Sequence, residues 1–460
     1  MNPDTVPRLQ RWLARVVVVR GGEMPALLWS FAYFFCLLAG YYVLRPLRDE
    51  IGIAGGVRNL QWLFTATFIV MFAAVPLFGA VVARLPRQRF IPLVYHFFVI
   101  NIALFWLLLT FYVSKVYVAR VFFVWISVFN LFTVSVFWSF MADLYASEQG
   151  KRLFGFIAAG GSAGALLGPA LTVGLAAPLG PVNLLVIAAL FLELAVYCAR
   201  RLERVAALAS TAAALPDIAA SGQASSTAAA PGTPPTVGSL GGSWLDGIVL
   251  LLRSPYLGGI ALWVALLSLA GTLLYFQQAS IVAAASDDPA VRVRIFAGID
   301  PAIGILTLVV QCLATGRLIT RFGVGAAAAL LPCVFALGFL ALWVSPTLAV
   351  VIIFQAIQRT ANFAVSNPAR EVLFTVVARA EKYKAKNVID IVVFRGADAF
   401  NGWLFATLRT AGLELAAISL TTLPLMPAWG ALAIALGRAQ ERRARQSVAP
   451  LAEPLSSKGA

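Results

Sequence analysis

The stretch MPALLWSFAYFFCLLAGYYVLRPLRDEIG, residues 24–52, begins as a membrane-spanning segment and ends in a cluster of charges. Its first part is apolar over the roughly 20 residues that a helix needs to cross a bilayer. Arg45, Arg48, Asp49 and Glu50 then follow within six positions. The stretch predicts a first, uncleaved transmembrane helix. It leaves open whether the charges form the hydrated end of that helix or contact a charged substrate.

The whole chain has the composition of an integral membrane protein. Apolar residues make up 61% of its 460 residues and charged residues 12%, with a mean hydropathy of +0.87. Soluble domains average roughly 45–50% apolar and about 25% charged residues, so we predict a protein embedded in a bilayer. The four cysteines lie in apolar runs without disulfide-framework spacing, and we interpret them as small buried apolar residues.

Twelve segments are long and apolar enough to form transmembrane helices, which predicts an all-α integral membrane fold. The segments are 24–45, 60–82, 91–112, 117–141, 154–175, 180–198, 255–278, 294–314, 324–344, 347–365, 388–408 and 411–436. The fifth, eighth and eleventh are interrupted by Gly, Asp or Arg. Because the number of segments is even, both termini are expected on the same side of the membrane.

The distribution of basic residues orients these segments. Most of the 35 Lys and Arg residues fall on the side of the termini, including the run 370–386 and the cluster 438–445. The positive-inside rule then predicts cytoplasmic termini, and we expect a bacterial inner membrane. The same asymmetry explains most of the net charge of +15. We expect no nucleic-acid binding, because the sequence has no basic soluble domain with interleaved aromatic residues.

Residues 206–243 divide the chain in two. They consist mainly of Ala, Ser, Thr, Pro and Gly with almost no charge, which is typical of a flexible linker. We therefore predict an N-terminal six-helix half at 1–205, a C-terminal six-helix half at 244–437 and a cytoplasmic tail at 438–460.

The two halves share a loop pattern. GAVVARLPRQR follows the second segment and GRLITRFGVGA follows the eighth, and each has a Gly followed after four residues by an Arg, Arg84 or Arg321. The pattern resembles the loop motif Gly-x-x-x-Asp-Arg-x-Gly of the major facilitator superfamily, with another residue at the Asp position. This resemblance implies the fold of that superfamily, in which the substrate binds midway between the halves.

Charged and polar side chains inside the segments form the candidate substrate site. A charge within a bilayer costs on the order of 2.5–3.5 kcal/mol and usually faces a cavity or a partner. Arg45, Arg48 and Asp49 stand at i, i+3 and i+4, and Tyr41 lies one turn earlier on the same face. A hydrated helix end is the alternative for the two arginines.

Polar residues in four other segments complete this candidate site. They are Asn130 in segment four, Gln277 and Gln278 at the end of segment seven, Gln355, Gln358, Arg359 and Asn362 along one side of segment ten, and Arg395 and Asp398 at i, i+3 in segment eleven. Segments one, four, seven and ten line the cavity in the superfamily, so a central polar site is expected. A structural ion pair is the alternative for Arg395 and Asp398.

Segment five, GFIAAGGSAGALLGPALTVG, carries a row of small residues. Gly155, Gly164, Gly168 and Pro169 match the Gly-x8-Gly-x3-Gly-Pro spacing of antiporters in the superfamily. Small residues let helix backbones approach closely and Pro bends a helix. A gating role and plain helix packing are therefore both open for this row.

Three further ionisable residues lie in the apolar segments. His96, within PLVYHFFVI, is expected to be a hydrogen-bonded interior residue, with a proton relay as the alternative. Glu193 and Asp300 are expected to form interhelical hydrogen bonds rather than to couple transport. The sequence shows no Ser/His/Asp, metal-ligand or phosphate-loop motif, so we expect no enzymatic activity, no bound metal and no cofactor.

Three stretches resemble signatures of the ATP:ADP antiporters of plastids and intracellular bacteria. YYVLRPLRDEIG is similar to a Leu-Arg-Asp-x-Lys-Asp run of that family, and FWSFMADLYASEQGKRLFG is similar to its Phe-Trp-Gly-Phe-Ala-Asn segment. NPAREVLFTVVARAEKYKAKNVIDIVVFRGAD resembles its longest signature, an Asp-Pro-x-Lys-Glu start, a Lys-rich loop, Ile-Asp-Val-Val and an Arg. The matching residues are Leu44, Arg45, Arg48 and Asp49 in the first stretch, and Asn367, Pro368, Arg370, Glu371, Lys382, Lys384, Lys386, Ile389, Asp390 and Arg395 in the last.

The resemblance implies antiport of ATP and ADP by alternating access. It implies that Arg45, Arg48 and Arg395 pair with substrate phosphates, and that Asp49 and Asp398 tune or gate these cations. Tyr41 or Tyr275 would stack on the base, and the loop residues matching the last signature would serve structure or gating. We expect a monomer in the lipid bilayer with a small anionic substrate.

Some positions depart from the family pattern. A Glu and a Lys of the family in segment seven correspond to Tyr275 and Gln278, a Lys in segment eleven falls near Asp398, and Ser127 or Asn130 is nearest to a Glu in segment four. A site without these charges suits another organic anion. The first alternative is therefore a transporter of such an anion, coupled to protons through Asp49, Glu193 or Asp398. The second is a membrane-embedded interaction or lipid-handling protein.

Overall fold

The described part of the chain consists of helices joined by short turns and loops. The computed structural model describes residues 23–54, 56–84, 87–111, 115–145, 147–220, 244–310, 316–378, 381–382, 385–386 and 388–448. Within these ranges the chain forms α-helices, short 3-10 turns and π-helical segments, and none of these residues lies in a strand. The predicted all-α class is confirmed.

The helices are labelled α1–α15 in chain order. They are α1 Met24–Ala54, α2 Leu60–Arg84, α3 Arg87–Phe111, α4 Lys115–Leu144, α5 Ser147–Leu179, α6 Leu184–Ala220, α7 Trp244–Arg253, α8 Pro255–Ala285, α9 Pro289–Val310, α10 Gly316–Val344, α11 Leu348–Ala361, α12 Asn367–Leu373, α13 Phe394–Thr410, α14 Leu415–Thr422 and α15 Leu425–Val448. The 3-10 turns are Val57–Asn59, Pro181–Asn183 and Phe374–Val376, and the π-helical segments are Asn362–Ser366 and Val388–Val393.

Eleven stretches of the described residues are long and apolar enough to cross a membrane. They coincide with eleven of the twelve predicted segments, so the chain is an integral membrane protein. The exception is the predicted segment 388–408, where a π-helical segment leads into α13. Arg395, Asp398 and Asn401 interrupt its apolar character.

Two predicted boundaries are corrected by the structure. The predicted linker 206–243 starts too early, because α6 continues as a helix to Ala220. That extension is rich in Ala, which has the highest helix propensity of all residues. The predicted tail 438–460 likewise begins inside α15, which continues to Val448. Residues 221–243 lie outside the described part of the chain.

The chain divides into two compact units. The first unit comprises Met1–Ala54, Ala73–Gly238 and Asp288–Pro301, and the second comprises Gly55–Phe72, Ser239–Asp287 and Ala302–Ala460. The first unit thus includes the beginning of α9, and the second includes the beginning of α2. The units follow the predicted halves except at these two short segments.

In the first unit, α1 is enclosed by α4, α5 and α6. The ring of Phe34 on α1 stacks on Phe137 of α4, with 4.2 Å between the ring centroids. On the side of α5, a Cβ atom added at Gly168 would lie 2.7 Å from the carbonyl oxygen of Ala39. The backbone of α1 is therefore held directly against α5, which fixes the position of the charged residues on α1.

In the second unit, α10 packs against α15, and α8 packs against α13. The rings of Trp263 on α8 and Trp429 on α15 are buried with 5.9 Å between their centroids. Phe335 on α10 lies 5.7 Å from Trp429. These apolar contacts position the polar faces of α8 and α13, because interior side chains pack too densely for the helices to slide freely.

Candidate functional site

The charged stretch that closes the first predicted segment lies inside α1. The helix continues past Arg45 to Ala54, with Pro46 in its interior. Proline cannot donate the backbone hydrogen bond at this position, which frees the carbonyl group one turn earlier. The side chains of Arg45 and Arg48 are only 24% and 20% exposed. The arginines therefore lie within α1 and are largely covered by other parts of the protein.

Arg45 faces a carboxylate on α9. Its guanidinium group lies 3.6 Å from Asp300, whose side chain is buried. The ring of Tyr42 lies 5.6 Å from the same guanidinium group. Both charged residues belong to the first unit. Asp300 thus faces α1 through an ion pair, and its partner is one of the arginines predicted to bind substrate.

A second ion pair between α1 and α9 was not predicted. Arg292 donates from Nη2 to Oε1 of Glu50 at 2.9 Å, and both side chains are buried. Removal of one partner of a buried pair typically costs about 3–5 kcal/mol, because the other charge is left uncompensated. In the sequence, Arg292 is only an arginine near the start of an apolar segment, and this position does not indicate that Glu50 is its partner.

Arg48 differs from the other two arginines. Its guanidinium group lies 4.2 Å from the ring centroid of Phe123 and 4.0 Å from Asp49. Its Nε atom is buried and makes no hydrogen bond to any described atom. The Nε atom of Arg292 is also buried without a hydrogen bond to a described atom, so Arg48 is distinguished by the longer distance to its carboxylate neighbour. Arg48 therefore has hydrogen-bonding capacity available for an anion.

In the second unit, Asp398 is the centre of a polar cluster. Ser268 and Thr272 on α8 donate their hydroxyl groups to Oδ1 of Asp398 at 2.6 and 3.0 Å. Arg395, one turn earlier on α13, lies 3.4 Å from the other carboxylate oxygen. Asn401 donates to the hydroxyl group of Ser268 at 3.4 Å. The structural ion pair considered for Arg395 and Asp398 is present, and hydroxyl groups of α8 hold it.

Buried glutamines lie on two helices of the second unit. Gln277 and Gln278 follow Thr272 on α8, and Gln355 and Gln358 lie on α11. Gln355 donates from Nε2 to Oε1 of Gln278 at 2.6 Å. Gln358, one turn further along α11, is also buried. Gln277 faces another helix, since its Oε1 accepts a hydrogen bond from Ser419 at 2.9 Å. The structure thus brings Gln278 together with Gln355 and separates it from its neighbour Gln277.

Four other predicted site residues are partly buried. Tyr41 and Asn130 are partly buried on α1 and α4 of the first unit. The ring of Tyr275 lies 5.5 Å from Phe64 in the second unit. Arg359 is partly buried on the polar side of α11.

The predicted gating residues contribute mainly to local packing and ion pairs. Arg370 lies 3.2 Å from Asp390, and Lys386 donates to Glu371 at 2.6 Å, so the longest signature is tied together by its own charges. Arg321 lies 5.6 Å from the ring of Phe322. The side chain of Arg84 lies outside the described part of the structure.

The small residues of α5 divide into two groups. Gly164 and Gly168 contact the backbone of α1, where an added Cβ atom would meet the carbonyl oxygens of Phe35 and Ala39. Gly155 has nothing within 4 Å of an added Cβ atom. Pro169 lies inside α5, which remains helical. The contacts at the two packed glycines are those of close helix packing, and a gating role stays a prediction.

His96 is hydrogen-bonded but is not an interior residue. Its Nδ1 atom lies 2.6 Å from the carbonyl oxygen of Pro92, and its Nε2 atom lies 3.7 Å from Glu193 on α6. The two side chains are 40% and 44% exposed. Glu193 thus faces His96 across two helices at a distance longer than a hydrogen bond, and His96 is half-buried rather than interior.

Comparisons with known proteins identify the fold. No family model and no curated protein matches the chain. Among solved structures, the chain is similar to the nucleoside transporter NupG, with a TM-score of 0.59 and 12% identity over 92% of this chain and 100% of that one. The POT family transporter PepTSo has a TM-score of 0.58 and 12% identity, over 93% of this chain and 99% of that one.

A third similar structure is a bacterial homolog of the human lysosomal transporter Spinster, in an inward-facing and unoccupied conformation. Its TM-score is 0.53, with 14% identity over 93% of this chain and 98% of that one. The likeness covers nearly the whole of each chain, so the chain has a transporter fold of the major facilitator type. The ATP:ADP antiporter family is not identified by these comparisons and stays a prediction.

Proposed function

We propose that this protein is a secondary transporter that moves nucleotides across a bacterial inner membrane by alternating access, in exchange of the ATP for ADP type. The observation that carries the proposal is Arg48, a largely buried arginine of α1 whose Nε atom makes no hydrogen bond within the described residues. The resemblance of three stretches to ATP:ADP antiporters and the likeness to transporters of nucleosides and peptides support it.

Arginine suits this role because its planar guanidinium group binds phosphate oxygens through two parallel hydrogen bonds and stays charged in a low-dielectric setting. A bound phosphate group would also supply the charge partner that a cation inside a membrane helix requires. The ring of Phe123 below the guanidinium group restricts its orientation. Arg48 is thereby poised to donate to an anion without first leaving a strong protein partner.

Counter-exchange in liposomes tests the proposal. Purified protein is reconstituted with ADP inside, and labelled ATP is supplied outside. We expect uptake that requires internal ADP, and a decrease of roughly 10- to 100-fold in Arg48→Gln, since a hydrogen bond to a charged group contributes about 1.5–3 kcal/mol. Arg201→Gln is the matched control, because Arg201 also lies on an aromatic ring but is exposed.

Two results would contradict the proposal. No counter-exchange, under conditions in which a known ATP:ADP antiporter is active, excludes nucleotide exchange. Full exchange by folded Arg48→Gln removes Arg48 from the substrate site. A lower rate in both variants would point to a general effect of losing an arginine rather than to substrate contact.

A second candidate is a transporter of an organic anion with fewer charges. The balance of charges in the first unit favours it, since Arg45 and Arg292 face Asp300 and Glu50, and Asp49 is the carboxylate nearest to Arg48. In the second unit Arg395 is paired with Asp398. A triphosphate would meet these carboxylates as well as the arginines.

The same liposomes separate the two candidates. A pH gradient replaces internal ADP, and uptake of labelled mono- and dicarboxylates is measured. Uptake that depends on the gradient, together with absent nucleotide exchange, would establish the second candidate. Nucleotide exchange that is unaffected by these carboxylates would exclude it.

A further inference from the structure

One side of α11 is polar although the helix lies in a stretch apolar enough to cross a membrane. Gln355, Gln358 and Arg359 stand at i, i+3 and i+4, and the π-helical segment that follows adds Asn362 and Ser366 on the same side. Polar groups in a bilayer are costly unless they are hydrogen-bonded. These side chains therefore need hydrogen-bond partners, and the polar atoms among them that make no hydrogen bond within the protein indicate what kind of ligand they could bind.

The glutamines are only partly satisfied by one another. Gln355 donates one hydrogen bond to Gln278, and both side chains are buried. A carboxamide group has two donor hydrogens and an oxygen with two lone pairs. Among the described residues this bond leaves donor capacity on Gln278 and acceptor capacity on Gln355. The pair therefore presents a donor and an acceptor next to each other.

Two further atoms of the row have no partner. The Oδ1 atom of Asn362 and the Oγ atom of Ser366 are buried and make no hydrogen bond to any described atom. Ser366 is fully buried. Folded proteins satisfy the large majority of such groups, so unpaired atoms in a row with carboxamides point to a ligand. π-helical turns such as Asn362–Ser366 frequently occur at functional sites.

The chemistry of the row selects the kind of ligand group. The carboxamides are neutral, so they do not by themselves favour phosphate, and Arg359 is the one cation among the side chains named on this side of α11. A carboxamide can form two parallel hydrogen bonds with a planar ring that carries a donor next to an acceptor, as Gln and Asn do with the edge of adenine. Tyr275 lies one turn before Gln278 on α8 and has an aromatic ring on which such a ring can stack.

We propose that Gln278, Gln355, Gln358 and Asn362, here called the amide row, bind the nucleobase of the transported substrate. The proposal deepens the proposed function and rests on it for the identity of the substrate. The amide row lies within the second unit and can be tested with a ligand that has no phosphate.

Binding of three ligands to the purified full-length protein tests the amide row. The ligands are adenosine, AMP and ribose 5-phosphate, measured by calorimetry or by thermal shift. We expect adenosine and AMP to bind. Gln355→Met is expected to weaken the binding of both by roughly tenfold, because Met cannot form the hydrogen bonds of the carboxamide and a polar atom of the bound base is left unpaired. Ribose 5-phosphate has no base, so Gln355→Met is expected to leave its binding unchanged.

Two variants control the measurement. Methionine has nearly the volume of glutamine, so Gln→Met changes hydrogen bonding with little change in packing. Gln440→Met alters a buried glutamine of α15 outside the amide row and is expected to bind all three ligands as the unchanged protein does. Arg201→Gln alters an exposed arginine of α6 and is likewise expected to bind all three ligands as the unchanged protein does.

The outcomes separate the amide row from the proposed function. If adenosine does not bind, or binds Gln355→Met and the unchanged protein equally, the amide row does not bind the base. If adenosine binding depends on Gln355 while ribose 5-phosphate and ATP are neither bound nor exchanged, the amide row stands and the nucleotide proposal fails. Equal weakening by Gln440→Met would show a general packing effect and overturn the assignment.

Discussion

At the scale of single residues, the arginines of the first unit differ in what faces their guanidinium groups. Arg292 donates to a buried carboxylate at 2.9 Å, whereas Arg48 lies against the ring of Phe123 and is 4.0 Å from the carboxylate of Asp49. A buried and well-paired arginine is held by its partner, and breaking such a pair destabilises the fold. We therefore interpret Arg292 as structural and Arg48 as directed to the substrate.

Glu50→Gln tests the structural interpretation. The substitution keeps the shape of the side chain but leaves Arg292 without a counter-charge, and we expect a loss of about 3–5 kcal/mol in stability. The measurement is thermal unfolding in detergent. The control is Lys386→Ala, which breaks the exposed pair with Glu371 and is expected to cost at most about 1 kcal/mol. Equal melting temperatures for the two variants would show that the buried pair contributes little.

At the scale of secondary structure elements, the glycine motif of α5 fits helix packing as well as a gating role. Its glycines were compared with an antiporter spacing, and the structure places Gly164 and Gly168 in contact with the backbone of α1. In a bilayer, helices associate largely through close packing of small residues. The positions of Arg45 and Arg48 therefore depend on the glycines of a neighbouring helix.

Gly168→Ala tests this packing. The added methyl group would meet the carbonyl oxygen of Ala39, which cannot move aside as a side chain can, and we expect a loss of about 1–3 kcal/mol in stability. Thermal unfolding and exchange activity are both measured. Gly174→Ala, on the same helix with nothing within 4 Å, is expected to be neutral or to gain about 0.5–1 kcal/mol from helix propensity. Similar losses in both variants would argue against close packing at Gly168.

At the scale of the whole molecule, neither predicted half contains a complete compact unit. The first unit needs Asp288–Pro301 from the second half of the sequence, and the second unit needs Gly55–Phe72 from the first half. Without the former segment, Glu50 would lose Arg292 and Arg45 would lose Asp300.

Expression of the halves as separate chains tests this dependence. We expect residues 1–220 alone to be unstable and prone to aggregation in detergent, because Glu50 loses its buried partner Arg292 and Arg45 loses Asp300. Co-expression with residues 244–460 is expected to restore a monodisperse complex with exchange activity. Size-exclusion chromatography and liposome uptake are the measurements. A stable, monodisperse 1–220 fragment would show that the first unit folds without the segment from α9.

The sequence by itself determined the membrane location and the order of the helices. In a bilayer every backbone polar group must be satisfied within its own segment, so long apolar runs become helices regardless of their neighbours. It also identified most polar residues of the candidate site, since polar side chains inside apolar runs are conspicuous. It placed the end of α6 too early, because an Ala-rich stretch is typical of both linkers and helices.

Only the tertiary structure decided which of these residues meet. Glu50 and Arg292 lie 242 positions apart in the sequence, and no local pattern relates them. The same holds for Gln278 with Gln355, and for Asp398 with the hydroxyl groups of α8. Periodicity tells which residues share a face of one helix, but the partner of that face depends on how all helices pack. Packing of α1 against α5, together with the ion pairs to α9, therefore decided which arginines have a carboxylate of another helix as partner.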